Sequence, residues 1–529
     1  MLTDRPYIFQ PRLAKAAGLA AGALILAWTV SNWIIAGDTR SLLIGAVGAV
    51  GLALLIFVLK DWKNGIYCFF VWLVFEDLIR KFAGNGFAVF FAKDIIIGLT
   101  YLSMLVALRD RRLPTFKSPF FVTLGIFFAF GLVQAFNVNS PGLLYSALGL
   151  KAYFYYVPMM FAGYAMVRTE SDLHKVLMVN TWIALIVSGI GVLQSVLGQT
   201  FLNPDDLAPD LQTLGRDTHY SPLTHLRVER MTSVYVSDGR FAEALILFFI
   251  LGMGTAGYLL LRNSRGRNLV LVGVGTVVLA TVMEGVRHAF IAILVSAVVL
   301  VAAILWGSGR GAGQLIRAGK AIRLAVTFAA LALLFMTFLY PDAIKARWAL
   351  YSETLTPGAA KSELGYRAWD FPVHAVQSVF TQPNWEFGNG IGAVSLGTQY
   401  VSAVLGTPKP WYASESGYGS LILEFGMIGP FIWLLWTGSL LYCAWKVVRK
   451  LKRTPLFPIG FAIFFYALYV LVLGFFYALS MYQNYLSNAY MWLTLGMLFR
   501  LPGLLEQQLA PAAVAAPADV YVPARARAW

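Results

Sequence analysis

The sequence is poor in the groups that most soluble enzymes rely on. Only 13% of its 529 residues are charged, and it holds two cysteines and five histidines. Cys68 and Cys443 lie in separate apolar runs, which excludes a disulfide framework and a cysteine-based zinc site. His174, His219, His225, His288 and His374 form no metal-spaced set, and the Asp/Pro stretch 203–210 reads as a loop cap, so neither metal nor cofactor is expected. P-loop, HExxH and GxSxG patterns are missing, which removes the usual signatures of nucleotide hydrolysis, zinc proteolysis and serine hydrolysis.

What is present is hydrophobic sequence. Apolar residues make up 59% of the chain, with a mean hydropathy of +0.68. They fall in repeated runs of roughly 18 residues or more, long enough to cross a bilayer core. This predicts an all-α polytopic integral membrane protein with about fourteen spans, near 17–36, 41–59, 64–79, 89–108, 118–136, 144–167, 175–198, 239–261, 267–282, 287–306, 321–340, 418–447, 456–478 and 484–501. The first run is read as a retained helix rather than a cleaved signal, because it is long and more spans follow. The net charge of +15 sits in short connections such as 60–64, 109–117, 262–267, 317–323 and 446–453. Every second connection is basic along most of the chain, which predicts cytoplasmic termini and contact with anionic lipid rather than nucleic acid. The segment 80–88 is a basic exception on the outer side.

Two connections are long, and both are expected outside the cytoplasm. The predicted organisation is an N-terminal bundle (1–198), an extracytoplasmic loop (199–238), central helices (239–340), a long extracytoplasmic loop domain (341–417), C-terminal helices (418–505) and a disordered Ala/Pro-rich cytoplasmic tail (506–529). The two halves show no repeat, which argues against a transporter built on duplicated bundles.

With short inner connections, a site is expected on the outer face, built from arginine, carboxylate and aromatic side chains. Segment 227–247 brings Arg227, Arg230 and Arg240 up to a helix start; 280–294 places Glu284, Arg287 and His288 between apolar runs. Segment 365–397 carries Arg367, an amphipathic stretch and the turn Gly388-Asn389-Gly390-Ile391-Gly392; the last, 412–429, holds Glu415 at the mouth of a helix. Each has a plainer explanation. Arg287 can snorkel from an interfacial turn, and Arg230 can be a solvated loop residue. Arg367 can bridge a loop helix, the glycines can make a tight turn, and Glu415 can complement a helix dipole.

Taken together and in order, these segments resemble the O-antigen ligase/polymerase superfamily of bacterial membrane glycosyltransferases, whose bundle is of GT-C type. The resemblance runs from about Arg227 to Val447 and rests on the arginine before a helix, the short turn with Arg287, the long loop "R-x-W…G-x-G-x-G" and the closing "Y-x-x-L/I-x-x-E-x-G-x-I-G". It implies glycan transfer from a polyprenyl-diphosphate carrier on the outer face of the cytoplasmic membrane. Arg230, Arg287 and Arg367 are then the diphosphate-binding residues, with Glu415 and Arg287 catalytic. Trp385, Trp411, Tyr412 and Tyr418 are candidate sugar-stacking residues, or else interfacial anchors. Family ligases carry a His-Asn-type pair where this chain has Glu415-Ser416, so a repeat-unit polymerase, with a chain-length regulator as a partner, is favoured over a ligase. A flippase of lipid-linked oligosaccharide is the rival from another class. It predicts charges through the bundle midplane, for which the sequence offers Glu76, Asp77, Arg80, Lys93, Asp94 and Lys151.

Overall fold

A computed structural model describes residues 51–83, 87–109, 116–203, 218–220, 227–262, 264–308, 337–355 and 365–509, with scattered positions elsewhere. Nearly all of the expected span 17–36, part of 321–340, about half of 41–59, much of the loop 199–238 and nearly all of the tail lie outside these residues. Seven helices among the described residues are long and apolar enough to cross a membrane: Val89–Arg109, Glu170–Leu197, Asp238–Arg262, Arg267–Glu284, Arg287–Gly307, Gly429–Lys450 and Phe457–Tyr477. Among the described residues the one small sheet is an antiparallel pair, Thr218–Tyr220 with Arg227–Glu229.

The chain divides into two compact units. One comprises Met1–Phe69 with Asp94–Val106, the other Phe70–Lys93 with Ala107–Trp529. In the first, Gly65 lets its helix approach Thr100, whose hydroxyl turns back to bond Ile96 O at 2.7 Å. The candidate-site residues described below all lie in the second unit.

Two expected spans are broken, each for a local reason. The stretch 144–167 divides into Leu143–Phe154 and Met159–Met166, because Pro158 has no N–H to return to the preceding turn. The stretch 418–447 divides into Gly417–Phe425 and Gly429–Lys450 at Gly426, whose φ of 76° favours glycine and whose added Cβ would meet Glu386 O at 2.5 Å. By contrast, helix 170–197 starts where the sequence makes a capping box. The Thr169 hydroxyl accepts from Asp172 N–H at 3.2 Å, while the Asp172 carboxylate accepts from Thr169 N–H at 3.0 Å.

Helix 238–262 is central: 83% of its apolar window is buried, against helices 170–197, 267–284, 287–308, 457–468 and 485–509. Helices 159–166 and 485–509 pack with their backbones nearly touching, Gly163 against Leu493 O and Gly496 against Met160 O. Small residues at both faces permit this approach, the usual device where lipid supplies no hydrophobic drive between helices.

Candidate functional site

Beyond Lys63 and Asn64 in its first turn, helix Trp62–Ala83 is apolar except for Glu76, Asp77, Arg80 and Lys81, all four of which are buried. A bare charge in such a setting costs several kcal/mol, so each should have a partner. The partners come from distant segments. Arg240, in the first turn of helix 238–262, donates from Nη1 to both Asp77 carboxylate oxygens at 2.7 and 2.8 Å. Arg80 donates to Asp77 Oδ1 at 3.0 Å and to the Tyr400 hydroxyl at 2.7 Å. Val236 N–H donates to Asp77 Oδ2 at 3.3 Å. Lys93, itself buried, donates to Glu76 Oε1 at 2.8 Å and lies 3.7 Å from the Phe90 ring centre and 4.3 Å from that of Tyr485. Lys81 donates to the Thr232 hydroxyl and to Ser233 O at 3.1 and 3.0 Å.

A cavity of about 10 Å³, room for one water, lies in this cluster and is lined by Glu76, Asp77, Tyr235, Arg240, Asn484 and Tyr485. Tyr235 is buried, and its hydroxyl has no hydrogen-bond partner among the described residues. Asn484 also reaches Glu243 on the next turn of helix 238–262, to which Ser480 donates at 3.3 Å. A second cavity of the same size includes Lys151, Tyr156, Gln483 and the other side of Tyr485. Arg240 is the cation that lines the first cavity, beside Glu76 and Asp77, while Arg80 and Lys93 hold those two carboxylates from outside its lining; Tyr485 lines both cavities. Such an arrangement attracts an anion and offers a ring face beside it.

The residues singled out in sequence occupy three places. Arg230 ion-pairs with Asp238 at 2.8 Å, and its stem lies over Gly285, in the turn between Glu284 and Arg287. Met231 N–H donates to Glu284 O at 3.4 Å, so the first two motifs do meet. Helix Pro341–Leu355, from the long connection, clamps them. Arg347 donates to Met283 O and Glu229 O at 2.5 and 3.1 Å, and the Tyr351 hydroxyl donates to Thr281 O at 3.0 Å. Burial lowers the Arg347 guanidinium and raises the Tyr351 phenol from their ordinary values. Arg287 is partly buried at the start of its helix. Asp238 and Arg240 are two residues apart on one helix, so they point to different sides of it.

The second place is the Glu415 segment. Glu415 is exposed two residues ahead of helix Gly417–Phe425. Its neighbours are fixed: Ser414 donates to Ala375 O at 3.1 Å and Ser416 to Phe476 O at 2.8 Å. Gln382 brackets Ala413 with two bonds of 2.9 and 3.1 Å. Trp411 is exposed beside Tyr412, whose phenol burial raises, while Tyr418 meets the Phe475 ring edge-on at 5.4 Å. Trp385 is partly buried against Phe380. Arg367 falls in the wide turn Tyr366–Asp370, and its side chain lies outside the described residues.

The third is the glycine turn. Gly388, Gly390 and Gly392 have φ of 84°, 84° and 92°. Their neighbours' amides are committed to the protein, Asn389 N–H to Leu423 O at 2.6 Å and Ile391 N–H to Gln134 O at 3.4 Å. This is a packing turn rather than a phosphate cradle. Buried Glu424, the glutamate of the closing motif, accepts from Val394 N–H and the Ser395 hydroxyl at 3.0 and 2.8 Å and pins the turn's far end. Gln483 donates to that same serine at 2.9 Å, which ties the turn to the segment lining both cavities.

Sequence reasoning passed over Asp77, Tyr235, Asn484 and Tyr485 as site residues. The available signal was four charges at 76, 77, 80 and 81 inside an otherwise apolar run. No family model and no curated protein matches this sequence.

Proposed function

We propose that this chain is a membrane glycosyltransferase that polymerises polyprenyl-diphosphate-linked oligosaccharide repeats on the outer face of a bacterial cytoplasmic membrane. The order of the arginine, glycine-turn and glutamate motifs supports this reading. The observation that carries it is the cavity at the head of helix 238–262, lined by Arg240 with Tyr235, Tyr485 and Asn484, and by the carboxylates Glu76 and Asp77 that Lys93 and Arg80 hold.

The chemistry suits those groups. Cleaving the bond between the anomeric carbon and the diphosphate leaves an electron pair and negative charge on the departing group. Guanidinium stays charged at any relevant pH and meets phosphate in paired hydrogen bonds. Held in a water-poor site, such donors stabilise the leaving group by several kcal/mol. The acceptor hydroxyl attacks from the opposite side and inverts the centre, giving its proton to a carboxylate. In this proposal Glu415 is that carboxylate, with Arg230, Arg287 and Arg367 on the diphosphate and Trp385, Trp411, Tyr412 and Tyr418 against sugar faces. Arg240, which points to a different side of its helix from the Arg230–Asp238 pair, is a phosphate ligand at a separate place.

The test is elongation of a lipid-linked repeat by the purified protein in vesicles, with Arg287→Ala and Glu415→Gln each checked for normal insertion. Undiminished polymer length in either variant removes that residue from the mechanism. A ligase instead leaves long unattached chains when its gene is deleted, whereas polymerase loss leaves single carrier-linked repeats. One observation favours the second reading, a flippase: the buried charges of helix 62–83 are what passage of a polar headgroup would require. Movement of the lipid-linked repeat across protein-containing vesicles, without elongation, would establish that alternative.

A further inference from the structure

Asp77 is enclosed in an unusual way for a structural carboxylate. Two guanidiniums and a backbone N–H converge on it: Arg240 on both oxygens, Arg80 on Oδ1, Val236 N–H on Oδ2. One partner is not locked away, since the Arg240 side chain keeps 32% of its surface exposed against 5% for Asp77. Arg80 is anchored independently by Tyr400, and Lys81 by Thr232 and Ser233. Arg80 therefore has a second anchor if the carboxylate leaves, while Arg240, its guanidinium 5.8 Å from the Tyr485 ring centre, is the group that exchanges partners. The adjoining cavity is lined by Asn484 and by Tyr235, whose buried hydroxyl has no partner among the described residues.

We propose that this cradle is a phosphate site whose resident anion is Asp77, and that a phosphate group of the lipid diphosphate replaces the carboxylate on Arg240 and Arg80. A phosphate carries more oxygens than a carboxylate and can take the same guanidinium bonds while accepting from Tyr235. With no ligand, Asp77 satisfies the two arginines and keeps the cavity at the size of one water. Ligand affinity is reduced by the cost of expelling it, as for any site that must first leave a closed state. The ligand's chemistry rests on the transferase reading, but the cradle serves a flippase equally.

The experiment is titration of the purified full-length protein with inorganic pyrophosphate and with geranyl diphosphate, read by calorimetry and by melting temperature. Asp77→Asn removes the competing charge, and we expect it to bind pyrophosphate at least tenfold more tightly than wild type. Its lowered melting temperature should be raised by pyrophosphate more than that of wild type, because only the folded state binds. Arg240→Lys keeps the charge but loses the fork, and should bind at least tenfold more weakly. Equal pyrophosphate affinity in wild type and Asp77→Asn overturns the proposal. Should Asp77→Asn not fold, an Arg240→Lys protein of wild-type affinity does the same. Tightening without any glycan elongation retains the site and removes the transferase reading; elongation without tightening does the reverse.

Discussion

The Asp77 cluster and the Glu415 segment place carboxylates in opposite circumstances. Asp77 is buried and takes hydrogen bonds from two arginines, with its neighbours drawn from residues 80, 236 and 240. Glu415 is exposed, on a segment whose serines and glutamine are bonded but whose own charge faces outward. The first is a feature of the folded core that affects stability and ligand entry alike. The second can be changed with little structural consequence. The difference separates two properties that sequence motifs merge: a charge the fold depends on, and a charge that is free to act.

The sharpest way to break this contrast is Arg240→Ala. Asp77 would keep Arg80 and Val236 N–H, and Arg240 is about a third exposed, so the cost lies at or below the lower end of the roughly 3–5 kcal/mol of a broken buried pair. The expected result is a large fall in melting temperature in detergent, and a wild-type melting curve would show that the cluster is not structural. Next comes Gly392→Ala. The left-handed φ of 92° and the approach of Tyr145 O leave no room for a methyl, so a loss of about 1–3 kcal/mol is expected, read by thermal unfolding. Ser395→Ala removes two hydrogen bonds, one to Glu424 and one from Gln483, for which roughly 1–2 kcal/mol is expected in a membrane bundle, measured in the same way. The smallest structural effect belongs to Glu415→Gln, whose melting temperature should match wild type. If Glu415 is the acceptor base, glycan elongation should nonetheless fall at least a hundredfold. A large drop in stability for this variant would erase the contrast.

Much of the helical pattern was legible from hydropathy. The expected spans near 89–108, 175–198, 239–261, 267–282, 287–306 and 456–478 lie within helices that the structure places within a few residues of those limits. The breaks at Pro158 and Gly426 were less legible, because a proline or glycine within an apolar run does not reveal whether it kinks, caps or interrupts. Gly426 is decided by its contact with Glu386 O, a residue forty positions earlier in another segment. Likewise, that the glycine turn packs against distant segments is decided by its neighbouring amides, which reach Leu423 and Gln134.

By itself, the sequence determined that this chain has apolar helices of membrane-crossing length, where most of those described begin and end, and which charged residues must find partners. Those properties follow from chain-local hydropathy and from the cost of burying a charge, neither of which needs a third dimension. Only the tertiary structure decided that Asp77 meets Arg240 across 163 positions, that Glu243 meets Asn484 across 241, and that Glu415 stays at the surface. Partner choice depends on which helix ends share a depth and a face, and that is settled by packing many apolar side chains at once.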